Sequence, residues 1–296
     1  MAFEMTPSLQ TDGSLLLLAP AKLNLFLEIL GKRPDGYHEL STLMVAINLC
    51  DEIIFRPHRA EILLSCDTPE LAVGAENLVV KAAQLLRRST GCQDGVAIHL
   101  RKKIPWAAGL GGGSSDAAAT LLGLNRLWKL NLSVVELKEL GSQLGSDVPF
   151  FLGENAAWCT GRGEILEPLP ARIPLHLLLL KPASGCDTAA VYRNLKLPPN
   201  PRSGQNLREA FVVGDARRLA AEMFNRLQES AFEMNSEIQA ILAELSRTSA
   251  LGCLMSGSGS SLFAVAEDES HSERLAAELQ NQKLPAGTRW WRVRSL

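Results

Sequence analysis

The sequence predicts a chain of mixed helices and strands arranged in two domains. Three observations carry this expectation. The chain has 296 residues, and about 150 residues per domain is typical. Strand-like and helix-like segments interleave along its whole length. Gly161, Gly163, Pro168 and Pro170 punctuate the middle, which puts a boundary there and divides the chain into residues 1–165 and 166–296. Hydrophobic residues make up 46% and charged residues 21%, a globular balance in a chain long enough to bury a large core without staples.

Taken in order, Ser14–Leu30 reads as extended chain interrupted at Pro20. From Lys22 the side chains alternate, with Lys22, Asn24 and Phe26 on one face and Leu23, Leu25 and Leu27 on the other. A turn follows at Arg33-Pro34-Asp35-Gly36, where proline presets φ and glycine supplies a positive one. Tyr37 and His38 come directly after it, at a loop tip. Ser41–Asn48 and Asp51–Arg56 read as strands, Asn77–Ser89 as a helix and Val96–Leu100 as a strand. A glycine-rich loop leads into a helix over Ser115–Leu127, and a second helix over Ser133–Leu144 stops at Gly145. Ile173–Leu180 reads as a buried strand, Asp187–Leu195 as a helix and Leu197–Gln205 as a surface loop. Helical patterns return over Asp215–Phe232 and Ile238–Ser246. A Gly/Ser run, Ser256–Ser261, precedes a strand at Leu262–Val265. His271–Gln282 is helical and Trp290–Val293 is a last strand. No internal repeat stands out.

Bulk properties exclude several function classes. The net charge of -2 offers no basic footprint for nucleic acid. The six cysteines, at 50, 66, 92, 159, 186 and 253, form no CxxC pair and read as small core residues in a reducing compartment. The longest apolar runs, Leu15–Leu18 and Leu177–Leu180, are far too short to span a membrane. The first dozen residues include Glu4 and Asp12 and lack an apolar core, unlike a secretory signal. A cytoplasmic protein acting on a small molecule is the expectation, with no nucleic-acid or membrane partner and the oligomeric state open. Neither HExxH nor GxSxG occurs, so the zinc-protease and serine-hydrolase motifs are absent.

The chemistry concentrates at Pro105–Ser115. Four glycines fall within five residues, at 109, 111, 112 and 113, followed by Ser114, Ser115 and an alanine-rich helix. Such a backbone approaches a ligand closely and leaves N–H groups pointing inward. The helix behind it adds unsatisfied donors and a positive dipole end, while the serines add hydroxyls for a phosphate or for Mg²⁺. A Walker A loop would end in Gly-Lys-Ser/Thr, and no lysine follows these glycines. A dinucleotide fingerprint from Gly109 would need glycine at 114 and a strand directly before it, whereas eight residues separate Leu100 from Gly109. A flexible linker is the remaining alternative, and a regular helix does not normally follow one.

The segment Pro105-x3-Gly109-Leu110-Gly111-Gly112-Gly113-Ser114-Ser115 resembles the phosphate loop of the GHMP kinases, the family of galactokinase, homoserine kinase and mevalonate kinase. Three further segments carry the resemblance: Ala19-Pro20-Ala21-Lys22-Leu23-Asn24-Leu25, Arg33-Pro34-Asp35-Gly36-Tyr37-His38 and Leu144-Gly145-Ser146-Asp147-Val148-Pro149-Phe150-Phe151. Ser256–Ser261 resembles a third family motif, and on its own residues also reads as a flexible turn before a strand. The resemblance implies a two-domain α+β fold, with an N-terminal ATP-binding domain, a ferredoxin-like C-terminal domain and the active site in the cleft between them. It implies ATP with Mg²⁺, whose ligands it leaves unassigned. Lys102, Pro105, Trp106, Ala107, Ala108, Gly109, Leu110, Gly111, Gly112, Gly113, Ser114 and Ser115 would bind the nucleotide, although Lys103 competes with Lys102.

The resemblance also implies a catalytic pair. Asp147 reads on sequence equally well as a turn or N-cap aspartate, and by resemblance as the base that accepts the hydroxyl proton. Lys22 reads as a cation snorkelling to solvent from a strand end, and by resemblance as the charge that keeps Asp147 ionised and stabilises the transferred group. The Tyr37–His38 segment resembles the branch of the family that phosphorylates a cytidine diphosphate-linked methylerythritol on the non-mevalonate route to isoprenoid precursors. There Tyr37 would stack on the cytosine and His38 bond its polar edge. Thr188, Tyr192 and Asn24 complete the expected acceptor contacts. Two alternatives stay open: another GHMP kinase, such as a homoserine or mevalonate type, and a non-catalytic nucleotide-binding protein. The first lacks a cytosine to stack. The second predicts loss of Lys22 or Asp147, and both are present.

Overall fold

The first strand, β1 (Ser8–Leu9), pairs antiparallel with the start of a long one, β2 (Leu15–Lys32). β2 continues through Pro20, where the sequence suggested an interruption. Proline forfeits one donor, but its fixed φ suits extended chain. The turn closes as expected, with the Gly36 N–H donating to the Arg33 carbonyl at 3.1 Å and Gly36 at φ +87°. β3 (His38–His58) then joins the two expected strands into one. A computed structural model supplies this description for residues 5–197 and 199–296; Glu4, and Pro198 within the expected 197–205 loop, lie outside it.

Next come β4 (Ile62–Cys66), α1 (Leu78–Thr90), β5 (Gly95–Arg101), α2 (Gly112–Leu127), α3 (Val134–Leu144) and α4 (Val148–Phe151). The helix starts are written locally. The Asn77 side chain accepts the Val79 N–H ahead of α1, and Ser133 with Glu136 forms a capping box on α3. β6 (Ala156–Thr160) and β7 (Ile165–Pro168) form a hairpin where the sequence showed only punctuation. The chain continues through β8 (His176–Lys181), α5 (Thr188–Arg193), α6 (Gln205–Val213), α7 (Ala216–Glu222), β9 (Phe224–Asn225) and α8 (Gln228–Met234). It ends with α9 (Ser236–Leu245), β10 (Gly252–Met255), β11 (Leu262–Ala266), α10 (Glu269–Gln280) and β12 (Arg289–Arg294). The single helical stretch expected over Asp215–Phe232 is therefore two helices. Extended Met223 parts them, and β9 pairs parallel with β2 through Phe26 and Leu27. A long-range pairing overrides the local helical preference there.

The chain forms two compact units. The first holds residues 5–21, Leu49–Ile104 and Gly111–Asn155. In it the end of β3 pairs antiparallel with β5, and β4 lies parallel to β5. Helices α1 to α4 pack together. Gly123 lets α2 approach the sheet: a Cβ there would meet the Phe55 ring at 2.6 Å.

The second unit holds Lys22–Asn48, Pro105–Leu110 and Ala156–Leu296. Its four-stranded antiparallel sheet runs β10-β11-β8-β12. Helices α5, α8, α9 and α10 share with it a core that includes Leu178, Leu180, Val191, Leu227, Ile241 and Leu275. This order and covering match the ferredoxin-like arrangement expected for the C-terminal half. In the same unit the start of β3 pairs with β6. No helix among the described residues is long and apolar enough to cross a membrane.

Glu28 anchors the second unit. Its carboxylate is fully buried and takes a two-pronged Arg226 guanidinium at 2.8 and 2.7 Å, plus the Ile29 and Arg202 N–H groups, each at 2.8 Å. Burial works to raise its pKa, but the guanidinium and the two N–H donors outweigh it and hold the pKa below the ordinary 4.5. The stabilisation is thus complete above that ordinary value and is lost as pH falls through the lower, folded one. Glu28→Gln is expected to cost about 3 kcal/mol at neutral pH, since it strands a partly buried Arg226. It should also flatten the acid limb of stability in urea unfolding measured against pH; an unchanged acid limb would show that Glu28 does not create it.

Candidate active site

Alternation along β2 places Lys22 and Asn24 side by side, as the sequence indicated. The Lys22 Nζ donates to the Asn24 Oδ1 at 2.6 Å and to the Gly109 carbonyl at 3.2 Å. Lys22 is only 4% exposed, so it does not snorkel to solvent. Asn24 is held in turn: its Nδ2 donates to the Thr42 hydroxyl at 2.8 Å, and that hydroxyl donates to the Phe26 carbonyl at 2.5 Å. This chain of donors turns the amide oxygen of Asn24 toward the ammonium.

The first half of the glycine-rich loop lies against the Ser256–Ser261 run. Ser256 Oγ donates to the Gly109 carbonyl at 3.2 Å, and the Ser261 N–H to the Ala108 carbonyl at 3.2 Å. A Cβ on Gly109 would fall 2.3 Å from the Ser256 carbonyl oxygen, and Gly109 sits at φ +73°. Only glycine fits there. Pro105, Ala108 and Leu110 are buried, while Trp106 stands 58% exposed. Ser256–Ser261 is therefore a wall of the loop and not merely a turn before β11.

The second half of the loop becomes helix earlier than expected. α2 starts at Gly112, so Gly112, Gly113, Ser114 and Ser115 form its first turn. Gly111, at φ +69°, precedes it with no side-chain cap, and the first turn carries no acid. The first bond up the helix runs from the Ser115 N–H to the Gly111 carbonyl at 2.9 Å. The N-terminal donors and the positive end of the dipole are thus left for an anion. The Ser115 hydroxyl is buried without a hydrogen-bond partner. An uncapped glycine start and an orphaned hydroxyl fit a phosphate chain.

Asp147 occupies the N-cap position of α4, yet its carboxylate makes no capping bond. Capping is not its role. A Cβ on Gly145 would lie 3.9 Å from the Ser114 hydroxyl, so the segment bearing Asp147 flanks the first turn of α2.

Burial separates the two lysines before the loop. Lys103 is exposed and pairs with Glu52. The Lys102 side chain is only 8% exposed and pairs with Asp51 and, at 2.8 Å, with Asp116. Burial works to lower the Lys102 pKa, and the Asp116 and Asp51 carboxylates outweigh it, so the net shift is upward. The Asp116 carboxyl is pushed up to about 8, by burial first and by the neighbouring Asp51 charge, against the pull of Lys102.

The expected acceptor residues all belong to the second unit. His38 and Tyr192 pack ring to ring, with centroids 5.1 Å apart. Tyr37 is 54% exposed, and the Arg162 guanidinium lies 4.8 Å from its ring centroid. His38 is held below the ordinary imidazole pKa by burial and by the Lys32 charge, which favours a neutral ring able both to donate and to accept. Thr188 opens α5 with its hydroxyl 2.8 Å from that of Ser258. No cluster of three or more His, Cys, Asp or Glu side chains that could hold a metal occurs among the described residues.

Sequence reading missed Thr42, Asp51, Asp116 and Arg162. Asp116 alone carried a local signal, directly after the loop serines. The other three reach their places through pairing between segments far apart in the chain.

Comparison with known proteins agrees with this geometry. Residues 77–154 match the family model for the GHMP kinases N terminal domain, and residues 207–286 match that for GHMP kinases C terminal. A 4-diphosphocytidyl-2-C-methyl-D-erythritol kinase of Pelotomaculum thermopropionicum is 46% identical over 88% of this chain and 92% of its own. The kinase of that name from Geobacillus thermodenitrificans is 44% identical over 87% and 90%. A crystal structure of 4-(cytidine 5'-diphospho)-2C-methyl-D-erythritol kinase aligns with a TM-score of 0.78 at 36% identity, covering 95% of this chain and 99% of that one. The chain therefore belongs to the GHMP kinases, within the family of the 4-diphosphocytidyl-2-C-methyl-D-erythritol kinases.

Proposed function

We propose that the protein transfers the γ-phosphate of ATP to the 2-hydroxyl of 4-diphosphocytidyl-2-C-methyl-D-erythritol, on the route to isoprenoid precursors. The observation that carries this reading is the start of α2: glycine-built, uncapped, free of acidic side chains and backed by the unpartnered Ser115 hydroxyl. A triphosphate satisfies those donors. The acceptor half rests on the names of the relatives and on Tyr37, His38 and Tyr192.

Phosphoryl transfer depends on positioning and charge neutralisation around a loose transition state. Pro105–Ser115 holds the phosphates, with Lys102 beside the loop. Lys22 supplies positive charge toward the transferred group, and Asn24 fixes the direction of its ammonium. Asp147 orients the acceptor hydroxyl and takes its proton, a weak base sufficing because the proton moves late. The Ser114 and Ser115 hydroxyls, the latter buried without a hydrogen-bond partner, would hold the Mg²⁺ that accompanies ATP, which would supply neutralisation of phosphate charge. Tyr37 stacks on the cytosine, neutral His38 bonds its edge, and Tyr192 and Thr188 close the acceptor side. The six cysteines are free thiols, in keeping with a reducing, cytoplasmic setting.

Phosphorus NMR tests the reaction. Incubation with ATP and the cytidine-linked acceptor should produce a new phosphomonoester resonance together with ADP. ADP without that resonance would overturn the acceptor assignment. Tyr37→Ala tests the stack. Base–aromatic stacking contributes roughly 1–3 kcal/mol, so the acceptor KM should rise about tenfold to a hundredfold while the ATP KM holds. An unchanged acceptor KM would remove Tyr37 from the site.

A further inference from the structure

The chain entering the phosphate loop and the helix leaving it are joined by one buried ion cluster. Asp51 is fully buried. Its Oδ1 accepts the backbone N–H groups of Lys103 at 2.6 Å and Ile104 at 2.8 Å. Its Oδ2 takes the Lys102 ammonium, which also donates to Asp116 Oδ2 at 2.8 Å. Asp116 is itself buried. The cluster brackets the loop, since Lys102–Ile104 directly precede Pro105 and Asp116 directly follows Ser115. It also sits against the loop's second half: a Cβ on Gly112 would lie 3.4 Å from the Lys102 Nζ.

Stability alone does not account for such a cluster. Two carboxyl groups and an ammonium lose their hydration here, and well-packed apolar side chains of similar volume are often at least as stable. Fixed geometry is what the ions add. Asp51 sets the path of residues 102–104 through their own N–H groups, and Asp116 fixes the first turns of α2 to that path. The Asp116 Oδ1, buried without a hydrogen-bond partner, shows that the side chain is placed for Lys102 and not for its own full satisfaction.

We propose that Asp51 and Asp116 are positioning residues which, through Lys102, hold the two ends of the phosphate loop in the shape that binds ATP. This rests on the ATP-binding reading above. It differs from a role in which the Lys102 ammonium itself grips the nucleotide. In that case freeing Lys102 from Asp116 would leave ATP affinity unchanged or raise it; in the present account it lowers it.

The test is calorimetric titration of wild type, Asp116→Ala and Asp116→Asn with Mg-ATP, alongside thermal unfolding and steady-state kinetics. Asp116→Ala removes a charge-assisted hydrogen bond and should weaken ATP binding about tenfold, with the acceptor KM unchanged. Asp116→Asn keeps an oxygen for Lys102 and should recover most of that affinity. A folded Asp116→Ala that binds ATP at least as tightly as wild type overturns the proposal, even if its Tm is lower. Should Asp116→Ala not fold, Asp116→Ser, which keeps Lys102 and its Asp51 partner and withdraws only the Asp116 carboxyl, decides the matter: weakened ATP binding supports the tie, and binding at least as tight as wild type refutes it. Failure of the wild type to bind ATP would instead strike the proposed function.

Discussion

Asp147→Asn is expected to lower kcat by about 10²- to 10⁴-fold, the range for loss of a positioned general base, while ATP and the acceptor still bind. The amide keeps the size and shape of the carboxylate and cannot take a proton. Asp147 makes no capping bond to α4, so the helix start does not depend on its charge. The segment flanks Ser114 through Gly145, so the variant tests whether the carboxylate two residues further on acts beside the proposed phosphate site. Single-turnover kinetics with saturating ATP and acceptor would isolate the loss to the chemical step. Wild-type turnover in this variant would remove Asp147 from the mechanism.

Gly109→Ala should be the most damaging small substitution in the loop. Two penalties combine. The left-handed conformation costs an L residue about 1–2 kcal/mol. The new methyl also falls 2.3 Å from the Ser256 carbonyl and 3.0 Å from that of Gly259, so one wall of the loop must shift. Gly36→Ala separates the two effects. Gly36 has a similar φ of +87°, but nothing lies within 4 Å of an added Cβ, so only the conformational cost applies. Gly109→Ala is expected to lower Tm further than Gly36→Ala and to abolish measurable ATP binding, while Gly36→Ala leaves ATP binding intact. Equal effects of the two on ATP binding would contradict the close approach of loop and wall.

Much of this site was legible because its signals are local. A period of two put Lys22 and Asn24 on one face of β2, and their 2.6 Å bond bears that out. Glycine density marked the uncapped start of α2, proposed above as the phosphate site, and the Pro-Asp-Gly turn marked where Tyr37 and His38 follow. What stayed hidden depends on residues distant in sequence. The Asp51 carboxylate meets Lys103 and Ile104 only because the end of β3 pairs with β5. The choice between Lys102 and Lys103 is made by burial, which the two adjacent lysines do not signal. Arg162 reaches Tyr37 from the β6–β7 hairpin, which was not foreseen. α2 begins three residues before Ser115 because tertiary packing and the Gly111 conformation override glycine's poor helix propensity.

The central claim is most directly tested by ADP release from Mg-ATP with four acceptors offered separately. These are 4-diphosphocytidyl-2-C-methyl-D-erythritol, the same compound lacking cytidine, homoserine and mevalonate. The account predicts turnover only with the cytidine-bearing acceptor. Turnover with homoserine or mevalonate, and none with the cytidine-bearing compound, would contradict it.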